Sequence, residues 1–256
     1  MNNDLQTIQK LKQLGICVVI PTYNNAQFLP SVLKSVLCYC SDVIVVNDGS
    51  PDNTDEVLRC FSDKITIVSQ PKNLGKGKAL KAGFEKALQL GFKYVVTMDS
   101  DGQHKAEDLW KFAQEIEKNP DALVIGARTL EGKDIKSSSS FANKFSNFWF
   151  AIHTLHRLSD TQTGYRLYPV YKMGNMKIFT SRYETELEIL VRCAWRGIPI
   201  KPVSINVFYP SKEQRVSGFR PFKDFTRISI LNTFFTFAAI FYGYPSMLIR
   251  WLIRKC

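Results

Sequence analysis

Residues Tyr94–His104 read YVVTMDSDGQH. An unbroken apolar run (Tyr94–Met98) gives way at once to Asp99 and Asp101, separated by one serine. A run this short and this continuous is a strand covered on both faces. Four more runs of the same kind lie around it: Ile16–Ile20 (ICVVI), Val43–Asn47 (VIVVN), Ile65–Ser69 (ITIVS) and Ala122–Ile125 (ALVI). Pro21 is expected to stop the first. Helical patterns fall between them, at about Phe28–Leu37, Thr54–Phe61, Lys76–Leu90 and Ala106–Lys118, with Asn53 or Thr54 able to cap the second. The alternation predicts an α/β fold with a mostly parallel central sheet flanked by helices. Ligands of such sheets bind beyond the carboxyl ends of the strands. The loops PTYNN, DGSPDNT, QPKNLGKGK and DSDGQH therefore share one edge.

Their chemistry is consistent with a nucleotide. Asp99 and Asp101 are hard oxygen ligands, suited to one Mg²⁺ or Mn²⁺ that also takes oxygens from a substrate phosphate. Gln103 and His104 can join that shell or orient it. Asp48 can accept a hydrogen bond from a base N–H or a ribose hydroxyl; Asp and Gly also serve a plain turn there. The stretch Asn73–Lys78 (NLGKGK) matches neither the phosphate loop of ATPases nor the dinucleotide fingerprint. Its glycines still permit an anion to approach a helix N-terminus. Arg128, Arg166 and Arg215 offer forked guanidinium groups for phosphate oxygens, although any one arginine reads equally well as a surface ion pair.

Beyond residue 126 the pattern changes. Arg128–Phe141 is polar with four consecutive serines and reads as a mobile loop; Phe141–Leu158 and Glu184–Arg196 read as helices, and Ile198–Ile205 as a strand. From Ile228 to Ile249 no residue is charged for 22 positions, between Arg227 and Arg250. That length can span a bilayer. With Gly243-Tyr244-Pro245 interrupting it, the segment also reads as two shorter interfacial helices, and MLIRWLIRK favours that reading; a core helix is the third possibility.

The 256 residues carry a net charge of +11, and from Lys201 onward nine Lys or Arg stand against two acids, so that end holds +7. The partner is expected to be anionic. No RNA-binding motif accompanies the charge, so nucleic acid is not expected. The composition, 45% apolar with 14 Gly and 11 Pro, excludes disordered and collagenous chains. Six cysteines make no CxxC and lack histidines at zinc spacing, which points to a reducing compartment. The first 15 residues contain no apolar core of a secretory signal.

Taken together, VVIPTYN (Val18–Asn24), VIVVNDGSPDNT, NLGKGKAL, MDSDGQH, IGAR (Ile125–Arg128) and TGYR resemble the family 2 glycosyltransferases of the GT-A fold, over roughly residues 15–210. Within that family the chain looks most like the polyprenyl-phosphate sugar synthases of the dolichol-phosphate mannose synthase type. The resemblance implies a UDP- or GDP-sugar donor. Pro21, Tyr23 and Asp48 would hold the nucleoside, with Asn25, Val46, Lys76, Ser100 and Arg215 completing the donor site. Asp99, Asp101 and Gln103 would hold Mn²⁺ or Mg²⁺, and Arg128 and Arg166 would face phosphates. Asp101, Arg166 and Glu186 would be the catalytic set. Glu186 resembles the acidic base of members that use hydroxyl acceptors, with Glu184 and Glu188 on one face of the same helix; acids at a helix N-terminus also suit its dipole. The chain departs from the family at Asn25, where Glu is usual, at Asn47, where Asp is usual, and at Arg215–Phe222, which replaces a Gly-Glu-Ser-Lys-like element. The implied activity is metal-dependent, inverting sugar transfer to a lipid-linked acceptor such as a polyprenyl phosphate, at the cytoplasmic face of a membrane. A hydroxyl acceptor is the alternative, and a non-catalytic nucleotide- or lipid-binding protein runs against the intact DSD. Residues 1–225 would form the catalytic domain and 226–256 a membrane-associated segment.

Overall fold

The computed structural model describes residues 2–128, 137–174, 176–208 and 221–253. Seven strands form one sheet in the order β3-β2-β1-β4-β6-β5-β7. They are β1 (Ile16–Thr22), β2 (Val43–Asn47), β3 (Thr66–Ser69), β4 (Tyr94–Thr97), β5 (Leu123–Arg128), β6 (Arg166–Tyr168) and β7 (Ile200–Ile205). All pairings are parallel except those of β6, which runs against both β4 and β5. The mostly parallel α/β architecture expected from the sequence is therefore the one observed.

Side-chain alternation splits the apolar strands between two cores. Ile16, Val18 and Ile20 of β1 face one side with Val43, Val45 and Val96, under helices α2 (Leu29–Leu37) and α5 (Leu109–Lys118). Cys17 and Val19 face the other with Ile44, Val46 and Val95, under α4 (Lys76–Gln89) and α8 (Glu184–Trp195). This double coverage is why the strands carry no polar alternation. Helices α1 (Asn2–Leu14), α3 (Thr54–Arg59) and α7 (Val170–Met173) complete this part of the chain.

Several expectations are corrected. Pro21 does not stop β1. Val19 O accepts Met98 N at 3.1 Å and Thr22 O accepts Asp48 N at 2.9 Å. Pro21 thus shares the β4 side with Val19 but lies past the last β4 partner, so its missing N–H breaks no ladder bond. Neither Asn53 nor Thr54 caps α3 with its side chain; Asp52 Oδ1 accepts the Thr54 N–H at 3.2 Å instead. The run expected to be a helix from Ala106 opens with a 3₁₀ turn over Ala106–Asp108. Ser137–Ser140 are not loop but the start of α6 (Ser137–Thr154), while the rest of the expected loop, 129–136, lies outside the described residues. β6 was not anticipated, because three residues are too few for a periodicity to show.

The apolar C-terminal segment forms α9 (Pro221–Ala238), a π turn (Ala239–Gly243) and α10 (Tyr244–Ile253). Gly243-Tyr244-Pro245 does not divide it; the wider π turn absorbs the place where Pro245 offers no N–H. Leu231, Phe235 and Ala239 recur every four residues and are buried in the core beside α6 and α8. His153 of α6 meets Thr236 at 3.2 Å, and Trp195 of α8 lies edge-on to Phe235. On the other side Ile230, Phe234, Phe237, Phe241, Leu248, Ile249, Trp251, Leu252 and Ile253 are exposed. A wholly buried core helix is excluded by that row. The 28-residue helix Thr226–Ile253 is long and apolar enough to cross a membrane by length and composition, with an 18-residue window of mean hydropathy 1.2.

Candidate active site

Three loops meet at the carboxyl ends of β1, β2 and β4. Asn25 ties two of them together: its Nδ2 donates to Ser100 O at 2.6 Å and to Ser100 Oγ at 2.9 Å. Asn47 closes the third, donating to Asp55 Oδ1 at 2.7 Å and accepting Ser50 N at 3.0 Å. At both of these departures from the resemblance an amide uses its Nδ2 as a donor, Asn25 to Ser100 and Asn47 to Asp55. An acid there has no proton to donate. Asp48 is buried, and its two oxygens accept Leu74 N at 2.7 Å and Gly75 N at 2.8 Å. Burial raises its carboxyl, and the two amides pull the other way. Tyr23 stands 40% exposed at the rim of this edge, open to a planar ligand. Val46 is different: the whole residue is buried, between Pro21 of β1 and Val68 of β3 and against Gly83 of α4, so the expectation that it contacts a donor is corrected.

The glycines of NLGKGK serve the protein's own chain. A Cβ at Gly75 would lie 2.6 Å from Ser181 O, and one at Gly77 would lie 1.9 Å from Thr185 Oγ1. The Lys78 N–H is already taken by Ser181 O at 3.1 Å. The close approach expected of an anion is therefore made by the segment leading into α8. That packing delivers Lys76 to the site. Its Nζ lies 2.7 Å from Asp99 Oδ1 and 3.2 Å from Glu186 Oε1. Burial alone would neutralise the amine, but Asp99 and then Glu186 outweigh it and hold the ammonium above its ordinary range. The effect on Asp99 is reciprocal: burial opposes its charge, yet Lys76, helped by His104, keeps it below the usual carboxylate value. Asp101 is pushed up to about 6, by burial first and by Asp99 second. Gln103 braces it, with its N–H 3.0 Å from Oδ1 and Nε2 2.8 Å from Oδ2. His104 stacks on Tyr165 at 4.9 Å; burial drives its pKa down to about 4, so the ring is neutral and its Nδ1 accepts Asp99 N at 3.4 Å. His104 therefore orients the DSD loop.

The arginines divide. Arg128 is forked onto Asp160, with Nε 2.6 Å from Oδ2 and Nη2 3.0 Å from Oδ1, and Asp160 is buried. Arg166 is fully buried, and each guanidinium nitrogen donates to a backbone carbonyl: Nε to Thr163 at 2.7 Å, Nη1 to Glu186 at 2.7 Å and Nη2 to Thr161 at 2.8 Å. The expectation that Arg166 faces a phosphate is corrected: its donors are spent on the polypeptide, and it clamps the strand-β6 turn to α8. Glu188 likewise leaves the group expected around Glu186. Its carboxylate accepts Phe179 N, Thr180 N and Thr180 Oγ1 and pairs with Arg192 at 2.7 Å. Arg215 lies outside the described residues. The Lys76 bridge and the Asp160 fork were not read from the sequence; their partners are 110 and 32 residues apart, and no local spacing marks them.

Gly164 packs directly against the charged pair. A Cβ there would lie 2.6 Å from Asp99 Oδ2 and 2.9 Å from Lys76 Nζ. Gly164→Ala is expected to lower turnover about tenfold with little change in thermal unfolding, since sub-ångström displacement of reacting groups already costs rate. Steady-state kinetics beside a melting curve measures both.

The donor set fits a hard divalent cation. Among the described residues no group of three or more His, Cys, Asp or Glu side chains converges. Two adjacent carboxylates do, and the upward push on Asp101 by Asp99 is a repulsion that a cation relieves. Mg²⁺-type sites commonly use one or two carboxylates and complete the shell with substrate phosphates and water.

A mostly parallel sheet with paired carboxylates and a buried lysine at its ligand edge is the architecture of an α/β enzyme of the GT-A type. The chain belongs to glycosyl transferase family 2, whose sequence profile matches residues 17–180. It is 29% identical over 229 residues to a dolichyl-phosphate beta-glucosyltransferase of Trichomonas vaginalis, covering 80% of this chain and 69% of that protein. It is 28% identical over 213 residues to the polyprenol monophosphomannose synthase of Mycolicibacterium smegmatis, covering 78% and 79%. The crystal structure of glucosyl-3-phosphoglycerate synthase from Mycobacterium tuberculosis, in complex with Mn²⁺, UDP-glucose and phosphoglyceric acid, superposes with a TM-score of 0.67 at 17% identity, over 92% of this chain and 83% of that one. That likeness carries the fold.

Proposed function

We propose that this family 2 glycosyltransferase moves a sugar from a UDP- or GDP-sugar to a lipid-linked phosphate, with inversion, at the cytoplasmic face of a membrane. One observation carries the choice of acceptor: Glu186, the only base the resemblance offers, is held by Lys76 at 3.2 Å. A phosphate acceptor is already an anion and needs no base, whereas a hydroxyl must lose its proton. The relatives named for dolichyl-phosphate and polyprenol transfer support the same choice, and the exposed apolar row on α9 and α10 suits a membrane-embedded acceptor.

In this reading Asp99, Asp101 and the Gln103 amide oxygen hold Mn²⁺ or Mg²⁺, which supplies Lewis-acid stabilisation of the departing nucleoside diphosphate. Lys76 places a permanent positive charge beside the same leaving group, and Arg128, its angle fixed by Asp160, adds a second. Pro21, Tyr23, Asp48, Asn25 and Ser100 shape the nucleoside pocket, Asp48 by fixing the Leu74–Gly75 turn. Residues 1–225 act as the catalytic unit and 226–256 as the membrane-associated segment.

The test is transfer from a panel of UDP- and GDP-sugars by detergent-solubilised full-length protein, with Mn²⁺ or Mg²⁺ and with or without polyprenyl phosphate. Metal-dependent glycosylation of the lipid phosphate is the expected result; transfer to hydroxyl acceptors alone overturns it. Glu186→Gln separates the two directly. With a phosphate acceptor its turnover is expected to fall less than about tenfold, whereas removing a true general base costs roughly 10²–10⁴-fold.

A further inference from the structure

At the edge of the sheet opposite the Asp99–Lys76 group lies a concavity of about 430 Å³, lined by Asp121, Lys172, Arg196, Gly197, Ile198, Pro199 and Arg250. Its place follows from topology. Asp121 precedes β5, Gly197–Pro199 precede β7, and Lys172 follows the antiparallel β6, so all stand at the amino ends of the parallel strands. The Asp99–Lys76–Glu186 group is at their other ends.

Three cations converge on this cleft against one acid. Lys172 pairs with Asp121 at 2.9 Å. Arg196 donates Nη1 to Met173 O at 2.7 Å, which orients its guanidinium. Arg250 donates Nη2 to Ser246 Oγ at 3.0 Å, while its Nε is buried with no hydrogen-bond partner. A buried donor without an acceptor is costly unless a ligand supplies one. The cleft is thus short of negative charge and short of an acceptor.

Its position relative to the apolar row identifies the ligand. Arg250 is carried on α10, between Ile249 and Trp251, and both neighbours are exposed by more than half. Leu248, Leu252 and Ile253 of the same helix continue the exposed surface. A free soluble anion has no use for such a margin. An anionic phospholipid uses both parts: acyl chains against the apolar row and a headgroup phosphate in the cleft. Basic residues beside an apolar helix surface are the pattern of an interfacial helix on anionic lipid.

We propose that the Lys172–Arg196–Arg250 cleft is a headgroup site for an anionic phospholipid, distinct from the acceptor site, which docks the far end of the enzyme on the bilayer. The proposal rests on the membrane association of α9 and α10 and adds to it a specific phosphate contact.

The experiment is vesicle co-sedimentation of full-length protein, on neutral phosphatidylcholine vesicles and on vesicles with about one third phosphatidylglycerol. Native protein is expected to bind both and to favour the anionic ones. Arg250→Gln is expected to weaken anionic partitioning roughly fivefold, and the Lys172→Gln/Arg196→Gln/Arg250→Gln variant roughly 100-fold if each residue adds independently. Neutral partitioning and donor turnover in detergent should stay unchanged, and a melting curve guards against misfolding. Equal losses on both vesicle types, or none on anionic vesicles, would overturn the cleft while leaving membrane association standing. In a parallel titration with glycerol phosphate, binding that the triple variant loses while its anionic partitioning stays native would assign the cleft to a soluble anion and also overturn it. Failure of native protein to bind either vesicle, with self-association covering the apolar row, would remove the membrane reading itself.

Discussion

Asp101→Asn is expected to lower sugar transfer by roughly 10²–10³-fold while leaving the fold at least as stable as before. The loss in rate follows from charge. Asparagine keeps an oxygen for Gln103 Nε2, which now lies 2.8 Å from Asp101 Oδ2, but it halves the negative charge that the DSD loop presents to a cation. The gain in stability follows from the same site. The Asp101 carboxyl is pushed up to about 6, by burial and then by Asp99. A raised carboxyl means that the folded protein holds its proton more tightly than the unfolded chain. Well below the ordinary carboxylate range both forms are protonated and nothing is lost. As the pH rises toward 6 the unfolded chain ionises first, stability falls, and it stays lower above that pH. The asparagine variant carries no such penalty. Melting curves in EDTA at pH 4 and pH 7.5 should therefore show the variant gaining on native protein at the higher pH. A variant that melts lower at pH 7.5 would mean that lost activity reports unfolding instead of lost ligand charge. The expected combination, more stable and far less active, is the signature of a site whose strain serves function.

What the sequence reveals of this molecule depends on how far each interaction reaches along the chain. β2 is recovered to the residue, because four buried apolar positions closed by a buried Asn47, between polar loops, allow one reading. The DSD loop is recovered for the same reason: the strand before it points its acids at the ligand edge. Errors begin where a residue's role is set by a distant partner. Pro21 reads as a stop until the shortness of the β4 ladder is known. The glycines of NLGKGK read as an anion cradle until Ser181 and Thr185 are seen pressed against them. Glu188 reads as a companion of Glu186 by helical spacing, yet it turns to the Phe179–Thr180 amides, a capping demand that no pattern in the helix records. In each case the residue type was right for its chemistry and the partner was what the sequence left open.

Arg166 carries that lesson furthest, and its replacement has the largest expected effect on stability. Arg166→Gln is expected to lower the unfolding free energy by about 3–5 kcal/mol, because three charge-assisted bonds to backbone carbonyls are lost at once and a glutamine amide replaces at most two of them. The carbonyls are those of Thr161, Thr163 and Glu186. They belong to the turn that carries Gly164 against Asp99 and to the first turn of α8, which carries Glu186 against Lys76. Losing the clamp therefore loosens both walls of the candidate site together. A phosphate-binding arginine behaves differently: its loss weakens donor affinity with little change in melting, and the deficit shrinks as donor concentration rises. Thermal unfolding of Arg166→Gln, with and without saturating UDP or GDP, distinguishes the two. A large drop in melting temperature without ligand supports the clamp, and native-like melting with weakened nucleotide binding would return Arg166 to the phosphates. Arg166→Lys is expected to recover only part of the stability, since one ammonium cannot span three carbonyls held in the plane of a guanidinium fork.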